Sequence, residues 1–210
     1  MYPEPPATSV SVADLAFRMD GDRRPGHFKG VATVVTKLFA GLRPDVAAFG
    51  RKDAQQLAII RRLTTDLSFP IDIVGCPIVR EADGLALSSR NSYLSNGERV
   101  AASALSRGLM AAADAVAAGE RDSRGLEALA FGSMAAEDGV VPQYAELASQ
   151  HEVARLTTLD RPAFLAVAAT VESTRLIDNV HFDWDGAVPV ADRGIRLEAP
   201  SLLSTAGEEV

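Results

Sequence analysis

Residues 27–75 alternate between helical and strand-like hydrophobic patterns, and this alternation restricts the fold more than any other feature of the chain. Apolar residues from His27 to Leu42 recur at helical spacing. Val46–Gly50 is a short apolar run that ends in glycine, which is typical of a buried parallel strand. A second helix, ended by Pro70, and a second buried strand at 71–75 follow. Helix, strand, helix and strand with short connections predict a doubly wound α/β sheet.

The second helix carries a start signal of its own. Asp53 followed three residues later by Gln56 predicts a capping box, and one apolar face then continues along the helix. The residues of that face are Leu57, Ile60, Leu63 and Leu67.

The pattern changes near Asn91. Ser95 and Glu98 form another capping box, which predicts a long Ala-rich helix to about Ala118. A further helix at 126–136 and strands at 144–147, 164–171 and 175–182 follow. Helices followed by consecutive strands indicate a small α+β domain. We therefore predict a part of an α/β sheet domain at 1–92, a small domain at 93–187 and a tail at 188–210.

Composition excludes several classes of protein. The 210 residues carry a net charge of −7, which argues against nonspecific nucleic-acid binding. A single cysteine, Cys76, cannot close an intramolecular disulfide, and it fits a reducing compartment. The longest uncharged apolar stretch, 163–171, is too short to span a bilayer, and the first residues are not a signal peptide. Histidine and cysteine have no metal-ligand spacing. We expect a cytoplasmic protein with no membrane or nucleic-acid partner and no protein-bound metal.

The charge is unevenly distributed. Residues 1–62 hold ten basic and six acidic side chains, so the rest of the chain carries −11. Within this basic part, Gly50–Asp53 lies between a predicted strand and a predicted helix, where glycine, a helix N-terminus and Lys52 can bind an anion. The alternative is that Asp53 only caps the helix and that Lys52 is a surface charge.

A second polar segment, residues 80–91, follows the second strand. The adjacent hydroxyls of Ser88 and Ser89 and the guanidinium of Arg90 can hold a polyphosphate. A polar loop in front of a capping box also needs no ligand. Two such clusters at the ends of neighbouring strands favour a binding site.

Four blocks of the sequence resemble the pantothenate synthetase (pantoate–β-alanine ligase) family. They are Arg-Pro-Gly-His-Phe-Lys-Gly-Val at 24–31, Phe-Gly-Arg-Lys-Asp-Ala-Gln-Gln-Leu at 49–57, residues 79–91 ending in Leu-Ser-Ser-Arg-Asn, and Thr-Arg-Leu-Ile-Asp-Asn at 174–179. Their order and spacing over most of the chain make the resemblance specific. It implies that residues 1–92 are the C-terminal part of a nucleotide-binding domain with a partial Rossmann-like, nucleotidyltransferase-type sheet, and that residues 93–187 form a lid domain. It also implies a homodimer.

The resemblance also implies an activity: ATP-dependent condensation of pantoate with β-alanine through pantoyl adenylate, with Mg²⁺ accompanying ATP. Lys52, Ser88, Ser89 and Arg90 would be catalytic, because they would stabilise phosphate charge. Gln56 would bind pantoate. The ATP-binding residues would be Gly50, Arg51, Lys52, Asp53, Val79, Leu87, Ser88, Ser89 and Arg90.

Three departures from the family pattern stand out. Arg51 occupies the position of an acidic residue, and Ala54 that of an aromatic one. The family's N-terminal half of the sheet, with its His-x-x-His signature and a substrate-binding Gln, has no counterpart here. Half a sheet leaves apolar surface uncovered. Three alternatives follow: another chain supplies the missing half, the chain is a truncated product, or it is a noncatalytic nucleotide-binding or dimerisation module.

Overall fold

The computed structural model describes residues 1–4 and 6–198. The chain divides into two compact units. The first consists of Met1–Cys76 and His151–Ala154, and the second consists of Pro77–Gln150 and the described part of Arg155–Val210. The domain boundaries drawn from the sequence stay a prediction, and residues 77–92 belong to the second of these compact units.

The first unit is a two-stranded parallel sheet with helices. Its elements are a 3-10 turn at Leu15–Phe17, α1 (Asp20–Arg23), α2 (His27–Leu42), β1 (Val46–Gly50), a 3-10 turn at Arg51–Asp53, α3 (Ala54–Asp66) and β2 (Asp72–Cys76). β1 and β2 pair in parallel from Val46 opposite Asp72 to Gly50 opposite Cys76. The predicted order of helix, strand, helix and strand is confirmed, and so is the α/β class.

The core of the first unit lies on one face of this sheet. Buried side chains of α2 and α3 pack there, and Ala47, Phe49 and Ile73 of the strands pack against them. The buried helical residues are Phe28, Ala32, Val35, Phe39, Ile59, Ile60 and Leu63. Leu67 of the predicted apolar face lies outside this core, because it follows the end of α3 and is exposed.

The prediction that both strands are buried is wrong. Exposed and half-buried residues alternate along β1 and β2, because the helices of the described chain cover only one face of the sheet. Val46 and Ala48 of β1 and Asp72 and Val74 of β2 are exposed on the other face.

The second unit contains the remaining elements. They are β3 (Val79–Arg80), a 3-10 turn at Ser89–Tyr93, α4 (Asn96–Ala117), α5 (Ser123–Ala135), β4 (Val140–Ser149), β5 (Ala163–Val171), β6 (Thr174–Asp185), β7 (Val188–Asp192) and β8 (Ile195–Arg196). β4 to β7 form an antiparallel sheet in sequence order, and β3 pairs with β8 in parallel. Both predicted helices and the three predicted strands are confirmed, with longer strands than the sequence indicated.

α4 and α5 pack together over the antiparallel sheet. Leu105, Leu109 and Val116 of α4 are buried in this core with Leu126 of α5. The helices approach closely at Gly108, where a Cβ would lie 2.8 Å from the carbonyl oxygen of Ala130. In the described part of the chain, α4 alone is long and apolar enough to cross a membrane, which is weak evidence because half of its apolar stretch is buried in the protein.

The two capping boxes have different outcomes. Ser95 accepts a hydrogen bond from the Glu98 backbone N–H, and the Glu98 carboxylate accepts one from the Ser95 N–H at 2.7 Å. Asp53 stands at the N-cap of α3, but its side chain makes no capping bond. Its backbone leaves a 3-10 turn at φ −96° and ψ 63°, away from the extended conformation that capping side chains favour.

Two strands lie in the described part of the predicted tail. Residues 188–192 form β7 on the antiparallel sheet, and Ile195–Arg196 forms β8 beside β3. Gly194 permits this pairing: its φ is +82°, and a Cβ there would lie 2.4 Å from the Ile78 carbonyl oxygen. The rest of the tail, 199–210, lies outside the described residues.

Candidate functional site

The first predicted cluster lies at the carboxyl end of β1. Gly50 is the last residue of the strand, and Arg51–Asp53 form the 3-10 turn that leads into α3. A Cβ on Gly50 would meet only the Lys52 backbone nitrogen, at 4.0 Å, so this backbone is open to close approach. Arg51 and Lys52 are half-buried, whereas Asp53 is exposed. The turn therefore offers two cations and accessible backbone in front of a helix N-terminus, which suits an anion.

The two glutamines after this turn have different surroundings. Gln56, the predicted pantoate ligand, is half-buried on α3. Gln55 is buried, and its amide donates to the carbonyl oxygens of Leu15 and Arg18, each at 2.7 Å. Its Oε1 accepts from the Asp20 backbone N–H at 3.2 Å. Gln55 thus ties the N-terminal segment to α3.

The second predicted cluster belongs to residues 79–91 of the second unit, which we call the closed loop because backbone hydrogen bonds join its two arms. The Leu87 N–H donates to the Val79 carbonyl oxygen and the Glu81 N–H to that of Leu85, both at 2.8 Å. These bonds place Val79 beside Leu87, two residues that the resemblance assigns to ATP. Both are half-buried.

Ser88, Ser89 and Arg90 follow Leu87 in the C-terminal part of this loop. Ser88 caps the 3-10 turn Ser89–Tyr93, because its Oγ accepts from the Arg90 backbone N–H at 3.3 Å. Ser89 is exposed. The Arg90 guanidinium donates to the Arg175 carbonyl oxygen at 3.3 Å. One turn therefore presents two hydroxyls and one fixed guanidinium, which are donors suited to phosphate oxygens.

A buried ion pair fixes the start of the loop. Arg80 donates to both carboxylate oxygens of Asp178, at 2.7 and 3.1 Å. The same guanidinium donates to the carbonyl oxygens of Asn179 at 3.0 Å, Gly84 at 3.2 Å and Arg193 at 2.8 Å. A buried charge is tolerable only with such complete pairing.

A second network fixes the loop interior. The buried Glu81 carboxylate accepts from the Asn91 amide and pairs with Arg99, each at 2.8 Å. Arg99 also pairs with Asp83 at 2.7 Å. Burial lowers the pKa of the Arg99 guanidinium, but the two carboxylates outweigh it and the pKa is raised overall. Glu81, Asn91 and Arg99 thus hold both arms of the loop that carries Ser88–Arg90.

The sequence did not assign these supporting residues. Arg80, Glu81, Asn91 and Asp178 lie within the motif blocks, but nothing in their spacing indicated which pairs form. Arg99 lies one residue after the capping box, a position without a sequence signal. The predicted site residues themselves fall into two groups, Gly50–Gln56 in the first unit and Val79 with Leu87–Arg90 in the second.

Two other features bear on possible ligands. A cavity of about 460 Å³ in the first unit is lined by Phe39, Arg43, Phe69 and neighbouring residues, at the amino ends of β1 and β2 and so at the edge opposite Gly50. Among residues 1–4 and 6–198, no group of three or more His, Cys, Asp or Glu could hold a metal ion.

Comparisons with known proteins agree with the sequence resemblance. The family model for pantoate–β-alanine ligase matches residues 1–181. The chain is 51% identical to a pantothenate synthetase of Acidobacterium capsulatum over 180 residues. This matched region is 86% of this chain and 60% of the relative. The chain is 52% identical over 185 residues to pantothenate synthetase 1 of Bradyrhizobium diazoefficiens, covering 88% and 65%.

Solved structures show the same likeness. The pantothenate synthetase of Thermus thermophilus is similar with a TM-score of 0.81 and 41% identity, over 85% of this chain and 65% of that one. A Francisella tularensis pantoate–β-alanine ligase, in complex with βγ-ATP and β-alanine, matches with a TM-score of 0.59 and 28% identity, over 85% and 59%.

These matches leave part of each relative uncovered. The chain spans 60% and 65% of the length of the two curated relatives described above. The matched part nevertheless includes both candidate clusters and the residues that support them. The chain belongs to the pantoate–β-alanine ligase family.

Proposed function

We propose that this chain provides the larger part of a pantoate–β-alanine ligase, which condenses pantoate with β-alanine at the expense of ATP. The observation that carries the proposal is the family match over residues 1–181, which includes every candidate site residue. The Francisella relative, whose structure is a complex with βγ-ATP and β-alanine, supports the choice of ligands.

The reaction has two steps. A carboxylate oxygen of pantoate attacks the α-phosphorus of ATP, the bond to the bridging oxygen breaks, and pyrophosphate leaves. The amine of β-alanine then attacks the carbonyl carbon of pantoyl adenylate, and AMP leaves with the electron pair of the acyl–oxygen bond. The amine also loses a proton. Neither step requires a protein nucleophile, so the side chains act by positioning and electrostatics.

Each candidate residue has a role in this scheme. Gly50, Arg51, Asp53, Val79 and Leu87 would contact ATP. A second set, Lys52, Ser88, Ser89 and Arg90, would stabilise negative charge on the phosphates during attack. Gln56 would bind pantoate.

Magnesium would enter with the nucleotide. Mg²⁺ prefers phosphate oxygens, waters and one or two carboxylates over an all-protein cage. Asp53 is the carboxylate of the Gly50–Asp53 turn, and its exposure leaves it able to contribute. The ion would neutralise charge on the phosphate oxygens.

The rest of the proposal concerns the part of the relatives that this chain does not match. We propose that the part of the relatives that this chain does not match completes the enzyme, that the completed enzyme is a homodimer, and that it works in the cytoplasm. A noncatalytic nucleotide-binding or dimerisation module is the alternative. A module of this kind would bind nucleotide or dimerise, but it would not make pantothenate even when the missing part of the enzyme is added.

Titration with an ATP analogue and Mg²⁺ tests the nucleotide site. Calorimetry on the chain should show binding that weakens about 10- to 100-fold in Lys52→Ala and in Arg90→Ala, since each variant loses a charge-assisted hydrogen bond. Lys37→Ala removes an exposed cation that contacts Met1 and Tyr2, and it should bind as the parent does. Equal weakening in all three variants would contradict a specific phosphate site.

A reaction assay tests the chemistry. The chain, completed with the remaining part of a relative, should form AMP, pyrophosphate and pantothenate only when both pantoate and β-alanine are present. A completed protein that binds nucleotide without making pantothenate would favour the noncatalytic alternative.

A further inference from the structure

A cavity lies at the amino ends of β1 and β2, and we call it the basal cavity. It has a volume of about 460 Å³ and is lined by residues 39–40, 43–45 and 69–71. These residues belong to the end of α2, the turn into β1 and the turn between α3 and β2, so the whole cavity lies in the first unit. Its volume is within the range of small-molecule sites, about 300–1,000 Å³. Because Gly50 ends β1 at the opposite edge, the basal cavity is separate from the candidate anion site.

The walls of the basal cavity are apolar and well packed. Phe39 is buried, and its ring meets the Phe69 ring edge-on, with the ring centroids 5.7 Å apart. Ile71 is also buried, and the rings of Pro44 and Pro70 restrict the backbone of the two turns. Walls of this kind favour a ligand with an apolar body. Two phenylalanine rings favour an aromatic body, since aromatic rings attract one another in edge-to-face and offset arrangements.

The backbone of the walls offers few hydrogen bonds to a ligand. The N–H groups of Arg43, Phe69 and Ile71 donate to carbonyl oxygens of their own unit, at 2.9, 3.0 and 2.9 Å. Pro44 and Pro70 have no N–H group. Polar recognition in the basal cavity therefore depends on its charged side chains.

Two opposite charges lie at the mouth of the cavity. Arg43 and Asp45 flank Pro44, both are exposed, and both line the cavity. Within the described part of the chain, neither side chain forms an ion pair or a hydrogen bond. A guanidinium binds a carboxylate through parallel hydrogen bonds, and a carboxylate accepts hydrogen bonds from an ammonium group. The mouth therefore suits a ligand that carries both of these groups close together.

We propose that the basal cavity binds a free α-amino acid with an aromatic side chain. In such a molecule the carboxylate and the ammonium group share one carbon, and the side chain extends away from both. Arg43 binds the carboxylate, Asp45 accepts from the ammonium group, and the aromatic ring lies against Phe39 and Phe69. This inference does not depend on the proposed function, because no residue of the basal cavity belongs to the candidate ATP or pantoate sets.

An NMR titration of the full chain with L-phenylalanine tests the site. The amide signals of Arg43, Phe69 and Ile71 should shift, with a dissociation constant of about 1 mM for so small a ligand, whereas those of 50–53 should not. 3-Phenylpropionate lacks the ammonium group and 2-phenylethylamine lacks the carboxylate. Each should bind about 10-fold more weakly, because a charge-assisted hydrogen bond is lost. L-Serine keeps both charges without the apolar body, and it should cause no shifts at the same concentrations.

Matched variants assign the two charges. Arg43→Met removes the charge but keeps an aliphatic stem, so it should weaken L-phenylalanine binding about 10-fold and leave 2-phenylethylamine binding unchanged. Asp45→Asn should weaken L-phenylalanine binding to a similar extent and leave 3-phenylpropionate binding unchanged. Arg62→Met removes an exposed arginine of α3 outside the cavity, and it should change none of these affinities. Ala40→Trp keeps both charges and fills the cavity from an exposed helix position, so it should abolish binding.

The outcomes separate this inference from the proposed function. The absence of shifts at about 10 mM L-phenylalanine would overturn the site. Binding that survives Ala40→Trp, or that falls as much in Arg62→Met as in Arg43→Met, would overturn it as well. Equal affinity for 3-phenylpropionate or 2-phenylethylamine would overturn the choice of an amino acid. A chain that binds L-phenylalanine but no ATP analogue would support the basal cavity and contradict the nucleotide site, and the reverse result would contradict the basal cavity alone.

Discussion

Arg80 and Asp178 form a two-point ion pair in which both side chains are almost fully buried, with N–O distances of 2.7 and 3.1 Å. Asp178→Ala would leave the Arg80 guanidinium buried without its counter-charge. We expect the free energy of unfolding to fall by about 3–5 kcal/mol, measured by urea denaturation.

An exposed ion pair is the control for this variant. Arg62 and Asp66 lie 2.8 Å apart on the surface of α3. Asp66→Ala should cost less than about 1 kcal/mol, because water screens such pairs. Similar losses in the two variants would show that burial adds nothing to the importance of Asp178.

Two glycines should respond to alanine with opposite signs. Gly108→Ala would place a Cβ 2.8 Å from the Ala130 carbonyl oxygen and 2.9 Å from the Ser133 Cβ, so it should destabilise the α4–α5 contact by about 1–3 kcal/mol. Gly132 on α5 has open space around it, and Gly132→Ala should stabilise the protein by about 0.5–1 kcal/mol through helix propensity. Thermal denaturation checks both, and a stabilising Gly108→Ala would contradict the close approach.

Gly194 is expected to be necessary for the pairing of β8 with β3. Gly194→Ala combines a left-handed φ with a contact of 2.4 Å to the Ile78 carbonyl oxygen, whereas Gly186→Ala has the left-handed φ alone. Only Gly194→Ala should speed amide exchange at Ile195 and Leu197, whose N–H groups donate to Ile78 and Arg80. Slow exchange in that variant would show that the strand tolerates a side chain.

The two N-caps should differ in their contribution to stability. Ser95→Ala removes a hydroxyl that accepts from the Glu98 N–H, and it should cost about 1 kcal/mol in urea denaturation. Asp53→Ala removes a side chain that makes no capping bond, so it should cost less. A larger effect at Asp53 would mean that its charge matters more to α3 than the Ser95 hydroxyl does to α4.

Glu98 gives a pH dependence with a defined sign. Hydrogen bonds from the side chain and backbone of Ser95 lower the pKa of the Glu98 carboxyl. A lowered pKa in the folded state means that this stabilisation is complete above the unfolded value, about 4.3, and is lost as the pH falls through the folded value. Carboxyl NMR titration should show the Glu98 pKa rising in Ser95→Ala. An unchanged pKa would contradict the role of the hydroxyl.

Local signals predicted the elements well. The apolar spacing of α2 and the short run of β1 gave their bounds, and Ser95 with Glu98 marked the start of α4. These features depend on neighbours in the chain, which the sequence displays directly. Asp53 failed as a capping residue because the 3-10 turn before it changes the backbone at the cap.

The sequence did not predict features that depend on residues far apart along the chain. β8 has two residues, and it exists because β3, more than a hundred positions earlier, pairs with it. The Arg80–Asp178 pair joins residues 98 positions apart. The candidate site follows the same division: motifs indicated Lys52 and Ser88–Arg90, but not the buried charges that support the loop.

The closed loop at 79–91 has a consequence for how its polar groups would meet a ligand. Its carboxylates and guanidiniums pair with residues of this chain, as in the contacts of Glu81 with Asn91 and Arg99. The Ser88 and Ser89 hydroxyls thus lie on a loop that contacts within this chain hold in place. A ligand would meet a loop that is already ordered, and the entropy cost of ordering it would already have been met during folding.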